Sequence, residues 1–210
     1  MAWEEIFKKK EDQFLRKPHE DLNKLIKLFK KNKLSKILDL GCGSGRHVVD
    51  LAKNGFEVYG MDNAPSGLKQ TREKLKHLNL KAKLKNANCY KTFPYKNNFF
   101  DAIISVQVIH HAKIKDIKKC ISEIERVLKP NGYVFITITK CKHHKSTKTK
   151  MKLIEPSTYI MLSGFEKGVP HHIFNKNRLK QYFNKFKIID IWTDKADHFC
   201  LLGKLKAIAP

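Results

Sequence analysis

The residues of this sequence whose types and spacing most clearly indicate a ligand site are three alternating glycines and one aspartate. Gly41, Gly43 and Gly45 follow the apolar run ILDL, and Asp62 closes the next apolar run, VYGMD. Glycine permits tight turns with positive φ and lets a ligand approach the backbone at the start of the following helix. A carboxylate about 20 residues after the first glycine typically accepts hydrogen bonds from ribose hydroxyls. The pattern therefore predicts a nucleoside site.

The spacing of the glycines excludes two common kinds of nucleotide site. A dinucleotide fingerprint, GxGxxG, would place its third glycine at position 46, where this chain has Arg46. A phosphate-binding P-loop would continue with GK[ST], which does not follow the glycines here. We therefore expect a nucleoside without a pyrophosphate.

The elements that must position this site are strands that alternate with helices. Five strands can be placed before residue 140, and such alternation indicates right-handed crossovers and a parallel sheet. The last two strands, at 187–192 and 198–206, are too close in sequence for a crossover, so we expect an antiparallel hairpin. The fold class expected is α/β, with a mostly parallel sheet.

The chain of 210 residues suits one globular domain with a small N-terminal element. Apolar residues at helical spacing, with a break near Pro18, predict a helical cap over residues 1–34. Residues 35–210 would form the main domain. Within it we expect a basic loop or insertion at 140–175, because residues 140–152 contain six lysines and no acidic residue.

The chain resembles the class I S-adenosylmethionine-dependent methyltransferases in five segments, which occur in the family's order: ILDLGCGSG, VYGMD, FFDAIISVQVIHH, ERVLKPNGYVFIT and the terminal hairpin. The resemblance implies a three-layer Rossmann-like fold whose seven-stranded, mostly parallel sheet ends in an antiparallel strand. It also implies an enzyme that uses S-adenosyl-L-methionine and releases S-adenosyl-L-homocysteine.

The resemblance assigns cofactor contacts to positions of this chain. Asp39 would meet the methionine moiety together with the glycine loop, Asp62 the ribose hydroxyls, and Asn63 the adenine side. Asn88 stands where the family often has Asp, and an amide oxygen can still accept from the adenine amino group. The full set expected is Asp39, Gly41, Cys42, Gly43, Gly45, Asp62, Asn63, Asn88, Cys89 and Val106.

Methyl transfer from a sulfonium is an in-line displacement whose leaving group departs neutral, so proximity and alignment are the main task. A general base is needed only if the nucleophile arrives protonated. The candidate bases are the paired His110 and His111, the paired His171 and His172 and, in the cap, His19. Each could equally pack or make a local hydrogen bond. No third ligand stands at a recognisable spacing from the paired histidines, so no metal site is expected.

Aromatic and apolar side chains indicate what could cover the site. Trp3, Phe7 and Phe14 in the cap would close over the cofactor and exclude water. An acceptor pocket would be lined by Tyr159, Met161 and Phe165. Core packing would explain Phe7 and the acceptor-pocket residues equally well.

The formal net charge of +23 is typical of proteins that bind a polyanion. Only five of the 43 basic residues are arginine, however, and arginine is the better partner for phosphate. The charge therefore has two open interpretations, a polyanionic partner or a compositional bias of solvated positions. The five cysteines are scattered and never form CxxC, so free thiols are expected.

A small-molecule acceptor with an O, N or S nucleophile is the first hypothesis for function. The alternative is a tRNA or other RNA methyltransferase, because a related branch shares the IHH ending of the fourth strand and the 140–152 segment is basic. A non-catalytic sensor or partner subunit that binds S-adenosylmethionine is the third. With no membrane span or signal peptide recognisable, we expect a cytoplasmic protein and no membrane partner.

Overall fold

The computed structural model describes residues 2–9, 17–140, 150–164 and 166–207. The strands in this part of the chain are β1 (Lys36–Leu40), β2 (Glu57–Asp62), β3 (Lys83–Asn86), β4 (Phe100–Val106), β5 (Leu128–Thr139), β6 (Met151–Glu155), β7 (Thr158–Met161), β8 (Pro170–His172), β9 (Phe186–Thr193) and β10 (His198–Leu205). The helices are α1 (Ala2–Lys8), α2 (Leu22–Lys31), α3 (Arg46–Lys53), α4 (Pro65–His77), α5 (Ile114–Val127) and α6 (Lys176–Tyr182).

Seven strands form the central sheet in the order β3-β2-β1-β4-β5-β10-β9. The strands from β1 to β5 pair in parallel, whereas β10 pairs antiparallel with both β5 and β9. The predicted α/β fold, with a mostly parallel seven-stranded sheet and an antiparallel last strand, is confirmed. Because β1 lies between β2 and β4, the strand order reverses there, and ligands bind such sheets at the carboxyl ends of the strands around this point.

Two apolar cores cover the two faces of the sheet. Neighbouring strand residues point to opposite faces, so Ile103 belongs to one core and Ile104 to the other. Helices α5 and α6 pack on the first face, and α2, α3 and α4 pack on the second. This gives the expected three layers.

The two N-terminal helices have different surroundings. In α1, the Glu4 carboxylate accepts hydrogen bonds from Ser66 of α4, and the Phe7 carbonyl accepts one from Gln70 of the same helix. In contrast, α2 buries its apolar face, including Phe29, in the second core. Within the predicted cap, α1 therefore lies over the carboxyl ends of the strands, whereas α2 belongs to the helix layer.

A second, smaller sheet follows the central parallel strands. Strands β6, β7 and β8 pair antiparallel within the region that we predicted to be a basic loop or insertion. This sheet makes the region an insertion with its own strands, and of the lysine-rich segment 140–152, for which we expected a loop, Met151 and Lys152 lie in β6. Short antiparallel strands often carry lysines on their exposed edges, so composition alone hides them. Residues 141–149 of the predicted loop lie outside the described residues.

Two further expectations concern thiols and membranes. Cys42, Cys89, Cys120 and Cys200 are free thiols, as predicted, whereas Cys141 lies outside the described part of the chain. None of the helices in the described ranges is long and apolar enough to cross a bilayer.

Candidate functional site

A cavity of about 380 Å³ opens at the carboxyl ends of β1, β2 and β4. We name its two parts the glycine-loop end, which comprises residues 41–44 and Asp62, and the histidine end, which comprises His111 and residues 167–170. The predicted cofactor residues that line the cavity are Gly41, Cys42, Gly43, Asp62, Asn63, Cys89 and Val106.

The glycine loop is tied to the end of β2 through its backbone. The N–H of Gly43 donates to Oδ2 of Asp62 at 2.8 Å, and the N–H of Gly41 donates to the Met61 carbonyl at 2.7 Å. Gly43 has a φ of 51°, and a Cβ there would lie 2.7 Å from Cζ of Phe7. Only glycine both adopts this conformation without strain and lets the Phe7 ring of α1 lie on the loop.

The Asp62 carboxylate has acceptor capacity beyond the hydrogen bonds that it accepts from the backbone. Besides the Gly43 N–H, it accepts the Ala64 N–H on Oδ1 at 2.8 Å. Burial raises the pKa of Asp62, while backbone hydrogen bonds from Ala64, Gly43 and Asn63 oppose that shift. A carboxylate has about four acceptor sites, so acceptor capacity remains beside these N–H donors. The side chain can therefore accept a hydroxyl of a ligand in the cavity.

Asp39 lies beside His47 and does not line the cavity. The Asp39 side chain is buried, its Oδ2 makes no hydrogen bond to any described residue, and it lies 3.7 Å from Nδ1 of His47. Nε2 of His47 accepts the backbone N–H of His19, which places the His47 proton on Nδ1, toward Asp39. Burial lowers the pKa of His47, and Asp39 opposes that shift. The wall at this point is therefore the neutral imidazole of His47.

Gly45 and Asn88 support the cavity wall without lining it. Gly45 precedes α3 with a φ of 81°, and a Cβ there would lie 2.6 Å from Cγ2 of Thr71. Oδ1 of Asn88 accepts the N–H of Tyr90 at 2.8 Å and so closes a turn after β3. Sequence reasoning identified the right segments, but packing decides which of their residues face the cavity.

His19 belongs to a hydrogen-bonded set with His47, Asp194 and His198, which we call the anchor network. Nδ1 of His19 accepts the N–H of Asp21, so Nε2 carries the proton and donates to Oδ2 of Asp194 at 3.1 Å. Asp194 also accepts from the backbone and the ring of His198. His19 does not line the cavity. Its position therefore contradicts the prediction of a general base and indicates that it fastens the N-terminal segment to the last hairpin.

His172 also lies away from the cavity and does not line it. Oγ1 of Thr158 donates to Glu155 and therefore accepts from Nδ1 of His172 at 2.7 Å. The His172 ring packs against Phe174, and burial lowers the pKa of the imidazole to about 4. His172 is neutral and lies where the second sheet packs against α6. This position indicates a packing role, and His172 does not have the position expected of a general base.

Three other histidines meet beside the cavity. His110 and His111 follow β4, His171 lies in β8, and Glu166 precedes β8; we call these four residues the cavity cluster. Ring centroids are 4.0 Å apart for His110 and His111 and 4.7 Å apart for His111 and His171. Oε1 of Glu166 lies 3.5 Å from Nε2 of His111, and Oε2 lies 3.4 Å from Nε2 of His171.

The cavity cluster is largely sheltered from solvent. His110 and His171 are buried, and burial raises the pKa of Glu166 to about 7. His111, one of the predicted candidate bases, is the member that lines the cavity. The tandem histidines in the sequence were the signal for it, but adjacent residues after a strand point in different directions, and the sequence does not say which one faces the ligand.

The rest of the rim was partly predicted. Trp3 and Phe7 line the cavity, and the Trp3 ring lies 5.4 Å from that of His111; Phe14 is outside the described residues. Tyr159 and Met161 lie in β7 and do not line the cavity, and Phe165 is outside the described residues. Residues 167–170 form that wall instead, because the turn before β8 folds over the cavity.

Gln107 is a further wall residue that sequence reasoning missed. It follows β4 with a φ of 61°, a left-handed conformation that costs free energy in a residue other than glycine. Its backbone N–H and its side-chain amide both donate to Thr137 of β5. These bonds hold the strained turn, which directs Gln107 and Val108 to the cavity.

Comparisons with known proteins agree with this geometry. The family described as "Methyltransferase domain" matches residues 38–136. A sterol 4-C-methyltransferase from Caenorhabditis elegans is 29% identical over 58% of this chain and 37% of the relative. A tRNA (carboxymethyluridine(34)-5-O)-methyltransferase from Arabidopsis thaliana is 37% identical over 50% of this chain and 24% of the relative. The chain thus spans less than half of the length of either.

A solved structure has the same fold over most of its length. An S-adenosylmethionine-dependent methyltransferase from Clostridium acetobutylicum superimposes with a TM-score of 0.71, covering 89% of this chain and 91% of that one at 17% identity. At this identity, the similarity establishes the fold alone.

Proposed function

We propose that this chain, whose residues 38–136 match the methyltransferase domain family, is a class I S-adenosylmethionine-dependent methyltransferase that transfers a methyl group to an O, N or S nucleophile of a small molecule. One observation supports this most directly. The glycine loop and the Asp62 carboxylate share a cavity with a separate wall, the histidine end, which leaves room to bring a second molecule toward the cofactor.

The cofactor would occupy the glycine-loop end. Asp62 would bind the ribose through the acceptor capacity that its hydrogen bonds from the backbone leave. Asn63 and Cys89 would flank the adenine, and Val106 would lie near the methionine moiety. Asp39 would act indirectly, because it faces His47, and His47 is the group in the wall.

The chemistry needs alignment and the exclusion of water more than it needs a charged catalyst. Trp3 and Phe7 of α1 would cover the sulfonium and exclude water from it. The acceptor would enter at the histidine end, against His111 and residues 167–170. Any proton that the nucleophile must lose would leave at this end of the cavity.

A small acceptor fits the walls of the cavity better than a polynucleotide. The lining is mostly apolar, and α1 lies across the glycine loop, where its Phe7 ring contacts Gly43. Lys167 and Arg46 are the lysine and arginine residues in the described lining. Recognition of an RNA chain relies on many phosphate contacts, which would have to lie outside this cavity.

RNA remains the second candidate, and two observations favour it. The chain is 37% identical over 105 residues to a protein named as a tRNA methyltransferase. Its net charge of +23 would also attract a polyanion. If RNA were the acceptor, a flipped nucleobase would enter at the histidine end while the lysine-rich surface held the backbone.

Transfer of labelled methyl groups tests the proposal. The full chain would be incubated with S-adenosylmethionine carrying a labelled methyl group, in parallel with a fractionated metabolite extract and with total tRNA. We expect label in a small-molecule fraction, and loss of label in the Asp62→Ala variant. An exposed carboxylate variant, Asp190→Ala, is the matched control and should behave as the unaltered chain.

Each other outcome contradicts the first candidate. Label in tRNA that declines steeply with added salt would establish the RNA candidate instead. Tight binding of the cofactor without label in either fraction would favour the non-catalytic sensor.

A further inference from the structure

The cavity cluster has a composition that suits a metal ion better than it suits packing. Three imidazoles from two distant segments, His110, His111 and His171, each place a ring nitrogen within 4.8 Å of the others. Glu166 adds a carboxylate to the same group. Sequence reasoning predicted no metal because a third ligand was missing near the paired histidines, and the fold supplies that ligand from β8.

The distances approach those of a four-coordinate site. Zinc binds nitrogen and oxygen ligands at about 2.0–2.1 Å in a tetrahedral arrangement. Neighbouring ligand atoms are then roughly 3.4 Å apart. One carboxylate oxygen of Glu166 lies 3.5 Å from Nε2 of His111 and the other lies 3.4 Å from Nε2 of His171, so a rotation of the carboxylate would direct a single oxygen to the ion. The imidazole nitrogens would approach one another by about 1 Å or slightly more to complete the same spacing.

We propose that His110, His111, His171 and Glu166 bind one divalent transition-metal ion of the zinc class. Neutral imidazole and carboxylate ligands suit Zn²⁺ and Co²⁺, whereas Mg²⁺ and Ca²⁺ prefer sites made of oxygen ligands alone. Four protein ligands make a closed site, and closed zinc sites stabilise structure. The ion would therefore hold the segment before β8 against the turn after β4.

The backbone brings the ligands together without help from an ion. The N–H of His172 donates to the carbonyl of His110 at 2.8 Å, which fastens β8 to the segment after β4. The N–H of His111 donates to the Val108 carbonyl at 3.1 Å and closes the turn that carries both histidines. Trp3 covers the exposed side of His111. The four ligands are therefore held close before an ion arrives.

A second group in the described chain provides a contrast. His19, Asp21 and Cys200 also place potential ligand atoms within 4.8 Å of one another. Both ring nitrogens of His19 are engaged, one by the Asp21 N–H and the other by Asp194, and Oδ2 of Asp21 accepts the Trp192 N–H. An ion there would have to break these hydrogen bonds, so we place the metal in the cavity cluster alone.

Metal binding to the full chain, purified without a histidine tag, tests the proposal. After treatment with a chelator, the protein would be titrated with Zn²⁺ by calorimetry and with Co²⁺ by visible absorption, and its thermal midpoint would be recorded with and without Zn²⁺. We expect one ion per chain, the intense visible bands of tetrahedral Co²⁺, and a higher midpoint with Zn²⁺, because the ion binds the folded state.

Two variants and two controls locate the ion. Glu166→Gln and His171→Gln should each weaken Zn²⁺ binding by at least about 10-fold, the lower limit seen for changes outside the first ligand shell. Cys200→Ser and His172→Gln should leave the stoichiometry and the affinity unchanged. A cooperative thermal unfolding transition verifies that each variant is folded. Glu166 is the less buried of the two ligands, so Glu166→Gln keeps the test decisive if His171→Gln fails to fold.

Three results would overturn the proposal: no Zn²⁺ binding by the folded, unaltered chain; a weak octahedral Co²⁺ spectrum; or affinity that Cys200→Ser removes while Glu166→Gln preserves it. None of these measurements depends on methyl transfer. The metal site and the proposed function can therefore fail separately.

Discussion

The two ends of the cavity are built in different ways. At the glycine-loop end, the polar groups come from one stretch of about 25 residues, and backbone N–H groups bond directly to Asp62. At the histidine end, the cavity cluster joins residues that are more than 50 positions apart in sequence. The first end is a local motif that recognises a common ligand. The second is a tertiary assembly, which is where proteins of one fold differ in their chemistry.

The largest expected effect is on cofactor affinity, which a change at the glycine-loop end should lower and a change at the histidine end should not. Asp62→Ala should weaken binding of S-adenosylmethionine by about 1.5–3 kcal/mol, roughly 10- to 150-fold, because it removes a charged acceptor for the ribose. Calorimetry would measure it, with Asp190→Ala as the control. Glu166→Gln at the histidine end should leave this affinity nearly unchanged. Equal losses in both variants would mean that the two ends do not act separately.

A glycine pair tests how strongly α1 constrains the glycine-loop end. Gly43 and Gly55 both have positive φ, but a Cβ at Gly55 would meet nothing within 4 Å. Gly55→Ala should cost about 1–2 kcal/mol of unfolding free energy through backbone strain alone. Gly43→Ala should cost more and also weaken cofactor binding, because it displaces Phe7. Urea denaturation would measure the difference. Identical losses of unfolding free energy in the two variants would show that the Phe7 ring moves aside without cost.

The anchor network predicts a dependence of stability on acid. Burial raises the pKa of Asp194, but hydrogen bonds from His19 and His198 outweigh it, so the pKa lies below its usual range. A carboxylate with a lowered pKa stabilises the fold above its unfolded pKa of about 4 and loses that contribution as the pH falls further. Urea midpoints of the unaltered chain should decline more steeply below pH 4 than those of Asp194→Asn. If the urea midpoints of both proteins declined in parallel, Asp194 would not be the cause of the acid dependence.

The smallest effect is expected at the lysine-rich surface. Lys150 and Lys152 are exposed, whereas Lys140 is held by Asp197 and Thr193 and should be left unaltered. Replacing Lys150 and Lys152 by Gln should leave cofactor affinity within experimental error, because neither residue lines the cavity. Calorimetry on the double variant tests this. A tenfold change would link this surface to the site.

The glycine-loop end was largely predictable because its information is local. Alternating glycines permit only a few backbone conformations, and Asp62 follows them by one strand-helix-strand unit. Asp39, Gly45 and Asn88 were expected in the wall and lie just outside it. Their motif positions fix the backbone segment, but the direction of each side chain depends on neighbours such as Thr71 and His47.

The histidine end was predictable only in its residue types. Sequence reasoning selected both histidine pairs but omitted Glu166, and it placed the acceptor pocket on β7, which pairs with β8 next to the observed wall. The second sheet was missed for a related reason, since pairing between short strands is non-local and the lysines at their edges resemble those of a loop.

The sequence by itself determined the alternation of strands and helices, the glycine loop and the kind of cofactor, because periodicity and backbone restrictions act over a few residues. The tertiary structure alone decided that Phe7 lies on Gly43, that His19 is an anchor, and that His110, His111, His171 and Glu166 meet. Such contacts close long loops, and whether they form depends on how the whole core packs.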